Sequence, residues 1–164
     1  MEGNRIERIG ARLFFELINL FRLSLANNRI EEIEEKAFEH CVQLRFLDLS
    51  LNKLKELNKL TLLGLNQLEE LDLQQNRIEW IEKGSFQPLH HLKRLDLSYN
   101  KLGGYVHNYF ALPRDPSRGL GPIPRIDLRF NSKLSGMDMI AMFRSAAIDD
   151  RRNTATGGRL DYEG

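Results

Sequence analysis

Residues 68–86, LEELDLQQNRIEWIEKGSF, hold one complete copy of a pattern that recurs along the chain every 24 residues. The pattern reads L-x-x-L-x-L-x-x-N-x-[IL]-x-x-[IL]-x(4)-F. Its asparagine column contains Asn4, Asn28, Asn52, Asn76 and Asn100. A fixed step over four periods predicts a stacked repeat protein, in which each unit contacts only its neighbours.

Apolar residues occupy the other columns of the repeat. Leu71 and Leu73 alternate with polar residues, which is typical of a short strand with one buried face. Such a strand cannot bury that face alone, so we expect neighbouring units to stack around a continuous core. The equivalent pairs are Leu23 and Leu25, Leu47 and Leu49, and Leu95 and Leu97.

This consensus resembles the leucine-rich repeat family, and specifically its 24-residue class with an outer phenylalanine, as in Toll-like receptor ectodomains and related extracellular proteins. The resemblance covers residues 4–134. It implies an α/β solenoid, a horseshoe segment with a concave parallel β-sheet of about five short strands and a mostly irregular convex side. It also implies an interior asparagine ladder, which we interpret as structural and assign to Asn28, Asn52, Asn76, Asn100 and Asn131.

One stretch departs from the period. The step from Asn100 to Asn131 is seven residues too long and holds four of the chain's five prolines. Phe110 and Ile123 keep their columns, so the surplus is confined to residues 111–122. This insertion is either a functional loop or a tolerated one.

The two ends carry separate predictions. The first unit begins at Asn4 without a preceding strand or a cysteine-bearing cap, which predicts a truncated array or a piece of a longer protein. Its uncapped first repeat could self-associate. Residues 135–150 predict a short helix that can cover the last repeat, and residues 151–164 predict a disordered tail.

Composition excludes several classes of function. The 164 residues include 24 Lys and Arg against 23 Asp and Glu, a formal net charge of +1 that gives no general drive toward nucleic acid. No apolar run approaches the ~20 residues that span a bilayer, so we expect no direct membrane insertion. Catalytic motifs are absent, and we expect no enzyme activity, cofactor or metal site.

Two reactive residue types have simple interpretations. Cys41 occupies a column otherwise held by leucine, so we favour a buried hydrophobe over a nucleophile. His90 and His91 are interpreted as a solvated pair rather than half of a metal site.

The resemblance places partner recognition on the concave sheet. The aspartate column there has a structural or electrostatic role, or binds an ion or a partner, and Arg22, Arg94 and Arg125 can partly neutralise it. The lone tryptophan, Trp80, stands in a polar column as either an edge contact or an incidental surface residue. The candidate partner-binding residues are Arg22, Phe46, Asp48, Leu51, Glu70, Asp72, Arg94, Asp96, Tyr99, Arg125, Asp127 and Phe130.

Two functions remain open. The first is a non-catalytic module that binds a protein ligand or co-receptor, resembling a fragment of a cell-surface or secreted innate-immune or adhesion protein. The second is an intracellular scaffold or adaptor. The 24-residue period favours the first, while the single cysteine and an N-terminus without a signal-like apolar stretch favour the second. The compartment is left open.

Overall fold

The computed structural model describes residues 1–103 and 124–134. In these residues the chain forms a parallel-strand solenoid of about four turns. The strands are β1 (Arg8–Ile9), β2 (Arg22–Ser24), β3 (Glu32–Ile33), β4 (Phe46–Asp48), β5 (Glu56–Leu57), β6 (Glu70–Asp72), β7 (Trp80–Ile81), β8 (Arg94–Asp96) and β9 (Arg125–Asp127).

Five three-residue strands form the concave sheet, in the order β2-β4-β6-β8-β9. Its pairing is parallel and follows the sequence period, since Leu47 lies opposite both Leu23 and Leu71. The expected solenoid with five short concave strands is therefore confirmed.

The side opposite this sheet is largely irregular. The chain outside the concave sheet consists of turns and two small parallel sheets, β1-β3 and β5-β7, and no helix occurs within residues 1–103 and 124–134. Short turns return the chain to the next strand. Each unit therefore contains few residues and buries its apolar face only by stacking on its neighbours.

The core lies between the two sides and runs through successive units. The strand leucines point into it, with Leu71 and Leu73 almost fully buried. The rings of Phe14 and Phe38 stack inside it, with centroids 5.5 Å apart and planes 9° apart. Burying a side chain of this size contributes about 1.5–3 kcal/mol.

The asparagine column ties each unit to the one before it. The Nδ2 of Asn52 donates to the carbonyls of Leu25 and Leu49, at 2.9 and 3.1 Å. Its Oδ1 accepts from the backbone N–H of Ile30 at 3.0 Å. Bonds of the same kind hold the other buried members of the column, which are Asn28, Asn76, Asn100 and Asn131. The ladder thus satisfies backbone groups that the turns would leave unpaired.

The long fourth step keeps this register. Leu95 lies opposite Ile126, and Asp96 opposite Asp127. The insertion at 111–122 falls outside the described residues, as do the predicted helix at 135–150 and the tail at 151–164. Those three assignments stay predictions.

The first unit has an open apolar edge. Leu13 is 48% exposed and Leu17 is 42% exposed. Ala37 and Cys41, one repeat later in the same columns, are buried. The difference arises because a preceding unit covers those columns in the repeats that follow within residues 1–103.

Candidate functional site

The concave surface is an open groove of about 430 Å³ lined by the first and third residues of the strands. We call the first residues the outer row. Cross-strand pairing places its members side by side, about 4.8 Å apart from strand to strand. They are Arg22, Phe46, Glu70, Arg94 and Arg125, all of them sequence candidates.

An aromatic cluster begins this row. The guanidinium of Arg22 lies 4.2 Å from the ring centroid of Phe46, a cation–π geometry. The ring of Phe21 lies 5.5 Å from Phe46, and Arg45 lies 5.4 Å from Phe21. Sequence reasoning missed Phe21 and Arg45. Phe21 precedes its strand in a column whose later members, Arg45, Glu69 and Lys93, are all charged, and that contrast was an available signal.

The third residues of β4, β6, β8 and β9 form an aspartate row, while β2 has Ser24 at this position. Asp48 Oδ1 accepts from the backbone N–H of Ser50 at 2.9 Å and from its hydroxyl at 2.7 Å. Asp96 and Ser98 repeat this arrangement at 3.0 and 2.6 Å. The row members are Asp48, Asp72, Asp96 and Asp127. Each therefore closes the turn that follows its strand, a structural function of aspartate in Asx-turns.

Cations neutralise only part of the aspartate row. Arg94 reaches Asp96 at 3.2 Å, and Arg129 reaches Asp127 at 2.7 Å. The hydrogen bonds from Arg129 lower the pKa of Asp127. The expected neutralisation by Arg22 is not seen, because that side chain lies over the Phe46 ring instead.

Asp72 lies in the unneutralised part of the row. Burial raises the pKa of its carboxyl, and the neighbouring carboxylates Asp48 and Asp96 add to that rise. The backbone N–H of Gln74, which donates to Asp72 at 3.0 Å, and the positive charge of Arg94 both act in the opposite direction. The carboxylate of Asp72 is positioned by its hydrogen bond to the turn and forms no ion pair with a described residue.

A salt-bridge network lies at the residues that directly precede strands β4, β6 and β8. Glu69 binds Lys93 and Arg45, each at 2.6 Å. The hydrogen bond from Lys93 lowers the pKa of Glu69, with Arg45 adding to the effect. The bridge links three successive units at the edge of the groove.

The strand ends carry an apolar rim made of Leu51, Tyr99 and Phe130. All three are exposed and have positive φ, at 55°, 55° and 59°. Backbone of this kind is unfavourable for bulky residues. The rings of Tyr99 and Phe130 stack, with centroids 4.3 Å apart and planes 16° apart. Leu51 does not join them, because Gln75 stands between them in the column.

The remaining candidates lie away from the groove. Trp80 is exposed on β7 and pairs with Glu56 of the small β5-β7 sheet. Cys41 is buried, and burial raises the pKa of its thiol. His90 and His91 are exposed. Over residues 1–103 and 124–134, no group of three or more His, Cys, Asp or Glu side chains is placed to hold a metal ion.

No helix in the described part of the chain is long and apolar enough to cross a membrane.

Solved structures share this fold. One is a crystal structure of TLR13 in complex with the single-stranded RNA ssRNA13, at 33% identity and a TM-score of 0.66, covering 76% of this chain. Another is the Drosophila Toll–Spatzle complex, at 27% identity and a TM-score of 0.59, covering 60% of this chain. A third is the octameric complex of Latrophilin 3, Unc5D and FLRT2, at 27% identity and a TM-score of 0.57, covering 82% of this chain.

This chain spans 17%, 13% and 43% of the matched chains, respectively. Because one of these proteins is in complex with RNA, the comparisons do not support our prediction that nucleic acid is excluded. The comparison with curated proteins gives no match.

A family model described as leucine rich repeat matches residues 1–54 and 47–102. Those ranges contain the repeated leucines and most of the asparagine ladder. The chain therefore belongs to the leucine-rich repeat family.

Proposed function

We propose that this chain is a non-catalytic recognition module that binds a protein partner on its concave sheet. The observation that carries the proposal is the open groove, whose polar and aromatic side chains stand on hydrogen-bonded strands of a rigid array. Side chains fixed in this way lose little conformational entropy on binding. Phe46, Arg94 and Tyr99 are of the residue types that dominate binding energy at interfaces.

The similar structures support protein recognition as the class of function. Two of the three are complexes with protein partners, Spatzle in one and Latrophilin 3 with Unc5D in the other. By this likeness we propose that the chain is part of a cell-surface or secreted receptor-like protein. The partner acts as a ligand or co-receptor, and Trp80 provides a second contact at the edge of the array.

An intracellular scaffold is the alternative. The observation in its favour is that the single cysteine is buried and free, as is usual in reducing compartments. The genomic sequence upstream of Met1 separates the two readings. An encoded signal peptide there contradicts the scaffold.

Site-specific photo-crosslinking tests the binding face. A benzophenone amino acid is placed at Ser24 or Glu70 in the groove, and at Glu35 or Lys59 on exposed positions outside it. The labelled chains are irradiated in the cells that express them. We expect protein adducts from the groove positions only. Equal adducts from all four positions would contradict the proposal, and adducts containing only RNA would replace a protein partner with nucleic acid.

A further inference from the structure

The charges of the groove are unevenly distributed between its strands. Arg94 is engaged by Asp96, and Arg22 lies over Phe46. Within residues 1–103 and 124–134, the carboxylates of Asp48, Glu70 and Asp72 form no ion pair. These three side chains lie on the adjacent strands β4 and β6. The middle of the groove is therefore an acidic surface whose carboxylates form no ion pair, although the charge of the neighbouring Arg94 acts on Asp72.

The apolar rim borders this acidic surface. Leu51 follows Asp48 by three residues, and Tyr99 follows Asp96 by three. A chain advances at most about 3.3 Å per residue, so Leu51 lies within about 10 Å of Asp48. Tyr99 lies within the same distance of Asp96, which is paired with Asp72 on the neighbouring strand, about 4.8 Å away. The rings of Tyr99 and Phe130 stack on each other and are both exposed, so they add an aromatic face to the surface and little packing to the core.

Carboxylates beside an aromatic face match the side chains of arginine and lysine. The charged head pairs with the carboxylate, and the guanidinium or the alkyl stem lies against the ring. Phosphate groups fit poorly, because they would meet the same unpaired carboxylates.

We propose that the groove accepts a cationic protein segment, which crosses the strands with lysine or arginine side chains on Asp48, Glu70 and Asp72 and an apolar or cationic side chain against Tyr99 and Phe130. This inference rests on the proposed function and specifies the chemistry of the partner. The raised pKa of Asp72 agrees with it, because a partly buried carboxylate that forms no ion pair is one that a partner's positive charge would stabilise.

A defined probe tests the inference. A fluorescent peptide of about 12 residues, with arginine alternating with leucine, is titrated with the protein in anisotropy measurements at low salt. We expect saturable binding. The triple variant Asp48→Asn, Glu70→Gln, Asp72→Asn should bind at least about tenfold more weakly. Asparagine keeps the oxygen that accepts from the turn, so this variant should melt no lower than the parent.

The matched control removes three carboxylates elsewhere. Glu16→Gln, Glu35→Gln and Glu56→Gln change exposed residues outside the groove by the same total charge. The control should bind the peptide like the parent. A second variant, Tyr99→Ser with Phe130→Ser, should bind about threefold or more weakly.

Three outcomes would overturn the inference. They are equal losses in the triple variant and its control, preferential binding of a peptide with glutamate in place of arginine, and preferential binding of a single-stranded RNA. If the groove still crosslinks to protein but shows no preference for the cationic peptide, the inference fails and the proposed function stands. Failure of the crosslinks contradicts the proposed function itself.

Discussion

The Oδ1 of Asn131 accepts a hydrogen bond from the backbone N–H of Leu102 at 3.0 Å, across 29 residues of chain. The equivalent bond from Leu54 to Asn76 spans 22 residues, also at 3.0 Å. The seven extra residues therefore leave this rung of the ladder unchanged. Backbone and asparagine hydrogen bonds set the repeat register, and seven additional residues between two units do not change it.

Removing one rung should destabilise the chain. Asn76 is buried and binds the backbone of Leu49, Leu54 and Leu73. Asn76→Ala leaves the buried N–H of Leu54 without an acceptor and removes one of the two amide donors to each of the Leu49 and Leu73 carbonyls. We expect a loss of about 1–3 kcal/mol in the free energy of unfolding. Urea denaturation measures it. Asn66→Ala changes an exposed asparagine outside the ladder and should stay within about 0.5 kcal/mol of the parent.

Truncating a strand leucine tests the column assignment. Leu71 is almost fully buried in the core, so Leu71→Ala should cost about 2–5 kcal/mol through lost burial and a residual cavity. Leu51→Ala, at an exposed position on the rim, serves as the control and should cost less than about 1 kcal/mol. Matching thermal melts for the parent and the Leu71 variant would show that the leucine column is wrongly placed.

Two aspartates should respond to pH in opposite directions. The folded-state pKa of Asp72 is raised, so its favourable contribution is present at low pH and is lost as pH rises through that pKa. Any stability gained by Asp72→Asn should therefore be larger near pH 7 than near about pH 3. Chemical denaturation at both pH values measures this. A gain that is larger at the lower pH would contradict the direction of the shift.

Asp127 provides the opposite case. Arg129 lowers its pKa, so its contribution to stability is present above the unfolded pKa of about 3.9 and is lost as pH falls. Asp127→Asn should destabilise the chain more near pH 7 than near about pH 3. The same denaturation series checks it, and a pH-independent effect would argue against the ion pair.

The stacked rim pair can be measured directly. A double-mutant cycle with Tyr99→Ala and Phe130→Ala should give a coupling free energy of about 0.5–1 kcal/mol, because the rings stack across two units. Tyr99→Ala combined with Leu51→Ala is the control. Those side chains stand two units apart and should not couple. Zero coupling for the first pair would contradict the stacking.

Much of the fold could be predicted from the sequence, because the period fixes which residues become neighbours. Residues 24 apart lie side by side, so the Arg45–Glu69–Lys93 bridge was also readable from its column, although it was not predicted. The turn-closing function of Asp48 was missed. Its signal was the serine two residues later, at Ser50.

The rest of the site depends on side-chain conformations, which the position of a residue in the repeat does not determine. The side chain of Arg22 stands near both the Phe46 ring and the aspartate row, and its guanidinium lies over the ring. The left-handed backbone at Tyr99 recurs throughout its column, at Asn27, Leu51, Gln75 and Phe130, and only Asn27 is of a residue type that favours it. Tertiary hydrogen bonds impose it, since the Tyr99 N–H donates to the carbonyl of Arg129 at 3.0 Å.

The most direct test of the central claim is the affinity of a crosslinked partner, once purified, for two paired variants in calorimetry. Phe46→Ala with Arg94→Ala removes two groove side chains, and Phe15→Ala with Arg12→Ala removes the same residue types from exposed positions outside the groove. We predict at least about a tenfold loss for the first pair, no loss for the second, and parental melting temperatures for both. Equal affinity of the first pair and the parent would contradict recognition on the concave sheet.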